Sequence, residues 1–169
     1  LGGMEALEAP YLDIDLPTMV RKRAGWLTVL LVGEMLTATA MSRYQHEIEN
    51  ASVLALFVPL IISSGGNSGS QATSLIIRSL ALREVELSDW WRVFVRELRS
   101  GAVLGLILGV IGFVRVQFWP SREALYTVHY TRVALTISFS LVGVVLFGAI
   151  VGSMLPFILR RFKLDPATA

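Results

Sequence analysis

The stretch from Ala51 to Ile77 reads ASVLALFVPLIISSGGNSGSQATSLII, without one ionisable side chain. A helix of about 20 apolar residues crosses a hydrocarbon core, so this segment is long enough to span a membrane. A barrel strand would instead alternate polar and apolar residues over about 10 positions. The segment is not uniformly apolar, however. From Ser63 to Ser74 every residue is small or polar. Unsatisfied polar groups in hydrocarbon cost several kcal/mol each, so this insert must face protein or water.

Three further runs resemble it in length. Ala24 to Ser42 lies between Arg23 and Arg43 and is interrupted only by Glu34; Gly101 to Trp119 carries Arg115 near its end; Val133 to Leu159 is free of charge and stops at Arg160 and Arg161. The expected fold is therefore all-α, a polytopic transmembrane helical bundle in contact with the lipid bilayer, with spans at about 24–42, 51–77, 101–119 and 133–159. Composition agrees. Of 169 residues 54% are hydrophobic and 17% charged, against roughly 25% charged in globular domains, and the mean hydropathy is +0.62. A water-soluble enzyme, a disordered tail and a nucleic-acid module are excluded as classes. With no cysteine, disulfides, Cys-based zinc sites and thiol catalysis are excluded too.

Orientation follows from the basic residues. Arg21, Lys22 and Arg23, then Arg78, Arg83, Arg92, Arg96 and Arg99, then Arg160, Arg161 and Lys163 fall on one side of such a bundle, and Arg43, Arg115, Arg122 and Arg132 on the other. The side with 11 of the 15 basic residues is expected to be cytoplasmic, with the N-terminus there. The connection LREVELSDWWRVFVREL (82–98) predicts an interfacial amphipathic segment, with Ser88 as N-cap candidate and Trp90 and Trp91 at headgroup level. Glu97 is expected to form an ion pair there with Arg96 or Arg99. Leu1 to Val20 carries four acids and no basic n-region, so it is not a signal peptide. The absence of an initiator methionine suggests a fragment of a longer protein.

Within 51–77, Ser63, Asn67, Ser70 and Ser74 recur at intervals of 4, 3 and 4 and share one stripe of a helix. Gly65, Gly66 and Gly69 lie alongside, allowing close backbone approach or local unwinding that bares carbonyl oxygens. Pro59 precedes them and is expected to kink the helix. Hydroxyl, amide and carbonyl oxygens without charge suit a hard cation that keeps its waters, held weakly enough to be conducted. The same residues also suit a small-residue packing face. Asn67 and Gln71, two large amides, favour the pore reading.

The pattern P-x-x-x-x-x-G-G-N-x-G-x-Q, carried by Pro59, Gly65, Gly66, Asn67, Gly69 and Gln71, resembles the signature of the MgtE family of magnesium channels and transporters. RAGWLTVLLVGEMLTATAM (23–41) and GSMLPFILRRFKLDPA (152–167) resemble the same family. The resemblance covers the chain from about Arg21. It implies a homodimeric inner-membrane channel that conducts magnesium, with five spans per protomer, of which the second and fifth line the pore. The transported Mg2+ is then the ion concerned, with no organic cofactor. Candidate pore-lining residues are Pro59, Ser63, Gly65, Gly66, Asn67, Ser70, Gln71 and Ser74, with Asn67, Ser70 and Ser74 meeting the metal mostly through water. Residues 1–20 would correspond to the family's linking helix, which plugs the pore, and 21–169 to its transmembrane domain.

This chain departs from the family in two respects. The regulatory CBS-type module of the full-length family proteins is absent, and the chain stops at Ala169, where the fifth span and its pore aspartate should follow. Asp165 is no substitute, since it precedes Pro166 in an expected cytoplasmic turn.

Glu34, the one acid deep in a span, is a candidate functional acid. It can face the pore, pair with a base or sit protonated at a helix contact. Gly101, Gly105, Gly109 and Gly112 in the third span, with Gly148 and Gly152 in the fourth, are expected to be helix-packing positions, and Pro156 to bend the fourth span. His46 and His129 lack ligand spacing and are expected to face solvent. SGGNSGS lacks the Lys-Ser/Thr ending of a P-loop and does not fit the G-x-S-x-G pattern. Rival functions are a proton-coupled divalent cation antiporter, with Glu34 relaying protons, and a non-conducting membrane scaffold.

Overall fold

The computed structural model describes residues 13–46, 52–120 and 130–163; residues 1–12 of the linking segment, Arg122, His129 and Asp165 lie outside them. Among the described residues every regular element is helical: α1 (Leu16–Arg43), α2 (Ser52–Ala55), α3 (Val58–Ala81), a 3-10 turn (Leu87–Asp89), α4 (Trp90–Gln117) and α5 (Tyr130–Arg161). Three helical segments, 16–43, 87–117 and 130–161, are long and apolar enough to cross a membrane. The 24 residues of α3 extend about 36 Å, but its polar insert keeps it out of that set.

Local signals set the ends. Asp15 caps α1, its carboxylate accepting the Thr18 N–H at 3.2 Å. The second apolar stretch is broken by a turn at Leu56 and Phe57, so Pro59 sits in the first turn of α3 rather than at a kink within a longer helix. There its missing N–H has no intrahelical partner to lose. Of the two readings of the glycines, close approach or local unwinding, unwinding does not occur: α3 is continuous from 58 to 81. Its C-terminus closes with Arg83 at φ 57° and with Glu84 N–H donating to Ser79 O at 2.9 Å, the 6→1 bond of a Schellman cap.

Asp89, not Ser88, is the N-cap residue of α4. Its carboxylate turns back to accept the Glu86 N–H at 3.1 Å, forming a capping box across the 3-10 turn, and pairs with Arg92 at 3.5 Å. Ser88 lies inside the 3-10 turn, so α4 begins after Asp89, whose side chain makes no capping bond to α4 itself. Glu97 forms no ion pair with Arg96 or Arg99 among the described residues; its carboxylate lies 3.5 Å from the Ser100 hydroxyl. Helical neighbours one or two positions apart do not face each other.

Helix α5 is the centre of the bundle, packed against α3 and against α4, which touch each other little. Gly101 lies against Leu146 and Ala149, Gly105 against the Val142 backbone and Gly109 against Ser138 O, so α4 runs antiparallel to α5. Contacts from Gly65 to Val144 and from Gly69 to Gly148 make α3 parallel to α5. Two apolar clusters close the ends. Phe57, Val116, Ala134, Ile137 and Leu141 form one, and Ile76, Leu80, Val93 and Phe157 the other. Between them the helices meet through glycine. In lipid, helix association rests on such van der Waals contact and on interhelical hydrogen bonds rather than on apolar burial. Helix α1 is not packed into this bundle, and its described side chains from Arg23 to Arg43 are all exposed.

Candidate functional site

The polar insert of α3 has two sides that do different things. On one side Gly65, Ala72, Ile76 and Leu80 are buried. A Cβ on Gly65 would collide with the Val144 side chain, and one on Gly69 would lie 3.3 Å from Gly148 O. The fit is reciprocal, since a Cβ on Gly148 would strike Gly65 O and one on Gly152 would strike Gly69 O. Gly65-xxx-Gly69 on α3 therefore meshes with Gly148-xxx-Gly152 on α5, backbone on backbone, as small-xxx-small pairs permit.

Two hydroxyls reinforce this seam. Ser68 Oγ donates to Val145 O at 3.0 Å and Thr73 Oγ1 to Gly152 O at 2.8 Å. The second bond has a particular cause. Pro156 lies inside α5 and has no N–H for the carbonyl four residues earlier, which belongs to Gly152. Thr73 supplies from the neighbouring helix the donor that proline removed. Although Pro156 removes that bond, α5 remains helical through 161. The proline and the small-residue spacing were visible in the sequence, but which residue would satisfy the freed carbonyl was not.

On the opposite side of α3, Ser63, Gly66, Asn67, Ser70, Gln71 and Ser74 are exposed. Nothing lies within 4 Å of a Cβ built on Gly66. Among the described residues, Ser63, Asn67, Ser70, Gln71 and Ser74 make no side-chain hydrogen bond. The row of hydroxyls and amides is thus held outward by a glycine seam behind it, and it carries no charge. Of the sequence-derived set, Pro59 stands at the start of α3, Gly65 faces the seam, and the other six share the open face. An open groove continues from this face over the seam, between Gly66, Ser70 and Ser74 of α3 and Phe147 and Val151 of α5.

Chemically, the face offers neutral oxygen and amide groups that can bond the waters of a hydrated cation without holding the ion by charge. No group of three or more His, Cys, Asp or Glu side chains placed to hold a bare metal occurs among the described residues. Glu34 is exposed on α1, away from the packed bundle, so the structure does not bring it to this face. His46 is exposed as well.

The magnesium transporter MgtE of Thermus thermophilus is 37% identical over 164 residues, which cover 91% of this chain and 34% of that protein. The proteins of the same name in Enterococcus faecalis and Bacillus subtilis are 29% and 26% identical over 148 residues, 88% of this chain and 31% of each of theirs. The chain spans about a third of the length of these curated relatives. The MgtE family model, described as divalent cation transporter, matches residues 58–169, from the first turn of α3 through the glycine seam and α5. With its polar face, its interlocked glycines and that match in hand, this all-helical, multi-pass membrane chain belongs to the MgtE family of divalent cation transporters.

Proposed function

We propose that this chain forms part of the pore of a magnesium transporter, in which hydrated Mg2+ passes along the open face of α3. One observation carries the reading. Asn67, Ser70, Gln71 and Ser74 are exposed and unbonded on a helix that runs beside the apolar α5 for most of its length. Four uncovered polar side chains at that depth are tolerated only against protein or water. A face that bonds the ion's own waters supports passage rather than capture, because conduction needs weak binding.

In this proposal a second copy of the chain supplies the opposite wall, so the working unit is a homodimer. It sits in the inner membrane with its arginine-rich end in the cytoplasm, as the positive-inside rule requires. The names of the relatives support magnesium as the cargo. The polar face alone would suit calcium or manganese equally, since all three favour oxygen ligands.

Asn67→Leu tests the assignment. One lost hydrogen bond to a hydrated cation, ~1.5 kcal/mol, corresponds to about a tenfold lower flux. In a form of the protein that carries the fifth span, magnesium entry into proteoliposomes, read with an entrapped indicator dye, should fall by that order while assembly is unchanged. Unaltered flux would remove Asn67 from the ion path. Flux that needs no proton gradient separates this reading from an antiporter, and absence of any flux would leave only a scaffold.

A further inference from the structure

At the arginine-rich end of the bundle, the 3-10 turn and the first turns of α4 diverge from the last turns of α5. They leave an open groove of about 730 Å³. Leu87, Trp90 and Phe94 form one wall, Met154, Phe157 and Ile158 the other, and Arg161 stands among them with no acidic side chain in the lining. Trp90 is 50% exposed. Of the cations nearby, Arg160 donates to Leu80 O at 3.4 Å and Arg92 pairs with Asp89. Arg161 is exposed and makes no hydrogen bond or ion pair among the described residues.

We infer that this groove is a binding site for an anionic phospholipid, with one acyl chain along the apolar walls and the phosphate on Arg161. The groove opens at the end of two membrane-length helices, where the headgroups lie, and tryptophans such as Trp90 prefer that level. A guanidinium matches phosphate geometry with paired donors. Basic pockets between helices at the cytoplasmic surface attract anionic headgroups. Charge selects an anionic lipid over a zwitterionic one, and the apolar walls select a lipid over a free anion. The inference rests on membrane insertion and not on the ion path, so either can fail without the other.

Native mass spectrometry of the protein released from micelles, titrated with phosphatidylglycerol or phosphatidylcholine, provides the test. Phosphatidylglycerol should be retained preferentially. Arg161→Gln should weaken its binding about fivefold, in line with one basic residue at a lipid surface. Arg161→Lys should restore part of the affinity, since it returns the charge without the paired donors, and Arg132→Gln, at the far end of α5, should leave it unchanged. Equal retention of the two lipids, no effect of Arg161→Gln, or displacement of phosphatidylglycerol by inorganic phosphate would each overturn the assignment.

Discussion

If Thr73 exists to satisfy the carbonyl that Pro156 frees, the two residues must be energetically coupled. Thr73→Val keeps the side-chain volume and removes the donor 2.8 Å from Gly152 O. Gly152 itself is buried in the seam, where a Cβ on it would strike the Gly69 backbone, while Thr73 stands at the edge of the open groove. A buried acceptor left unsatisfied costs about 1–3 kcal/mol, whereas interhelical hydrogen bonds measured in membranes average about 0.6 and reach about 1.7. The expected loss is therefore about 1 kcal/mol. In a Pro156→Ala background the N–H of residue 156 returns to Gly152 O, and Thr73→Val should then cost close to nothing. Reversible unfolding in mixed detergent micelles, run on the wild type, both single variants and the double, gives the coupling directly. A coupling near 1 kcal/mol is expected. Strict additivity would show that the Thr73 hydroxyl is not serving the proline, and the account of this seam would fail.

Other expectations follow from the same geometry. Gly148→Ala and Gly152→Ala should each destabilise by about 1–3 kcal/mol, because backbone rather than a movable side chain blocks the added methyl. Gly143→Ala, with nothing within 4 Å, should be neutral or stabilise by up to about 1 kcal/mol through helix propensity; the same unfolding assay ranks all three. Arg83→Gly should stabilise by about 0.5–1 kcal/mol, since φ 57° strains an L side chain and suits glycine. The side-chain and backbone hydrogen bonds of Thr18 hold the Asp15 carboxyl below its ordinary 3.8. Its capping of α1 is thus fully present above pH 3.8 and is lost as pH falls through the lower folded value. The Thr18 amide NMR shift should titrate with a midpoint under 3.8; a midpoint at or above that value would contradict the cap.

How much of this was legible in the sequence differs from residue to residue. The stripe Ser63–Asn67–Ser70–Ser74 was placed together by helical period alone, and the structure puts all four on one open face. Gly65 was named among the pore-lining residues and Gly69 beside them, although a glycine next to a polar row suits a pore wall and a helix contact equally. The matching Gly148 and Gly152 on α5 of the same chain assign them to the contact. Ser88 was a capping candidate by type, yet a 3-10 turn takes in Leu87 to Asp89 and moves the start of α4 one residue on, to follow Asp89. Thr73 looked like one more member of the polar insert, and only the position of Gly152 shows that its hydroxyl belongs to the seam.

Length, apolar runs and arginine placement were enough by themselves to determine that the chain is all-helical and membrane-bound, and which of its ends is the more basic, because each depends only on local composition and period. The choice of α5 as the central helix, the parallel pairing that gives α3 its one packed side, and hence which polar groups remain uncovered required the tertiary structure. Small polar residues can satisfy either a neighbouring backbone or water, and nothing within one helix decides between them. The neighbour decides, by covering one side and leaving the other bare.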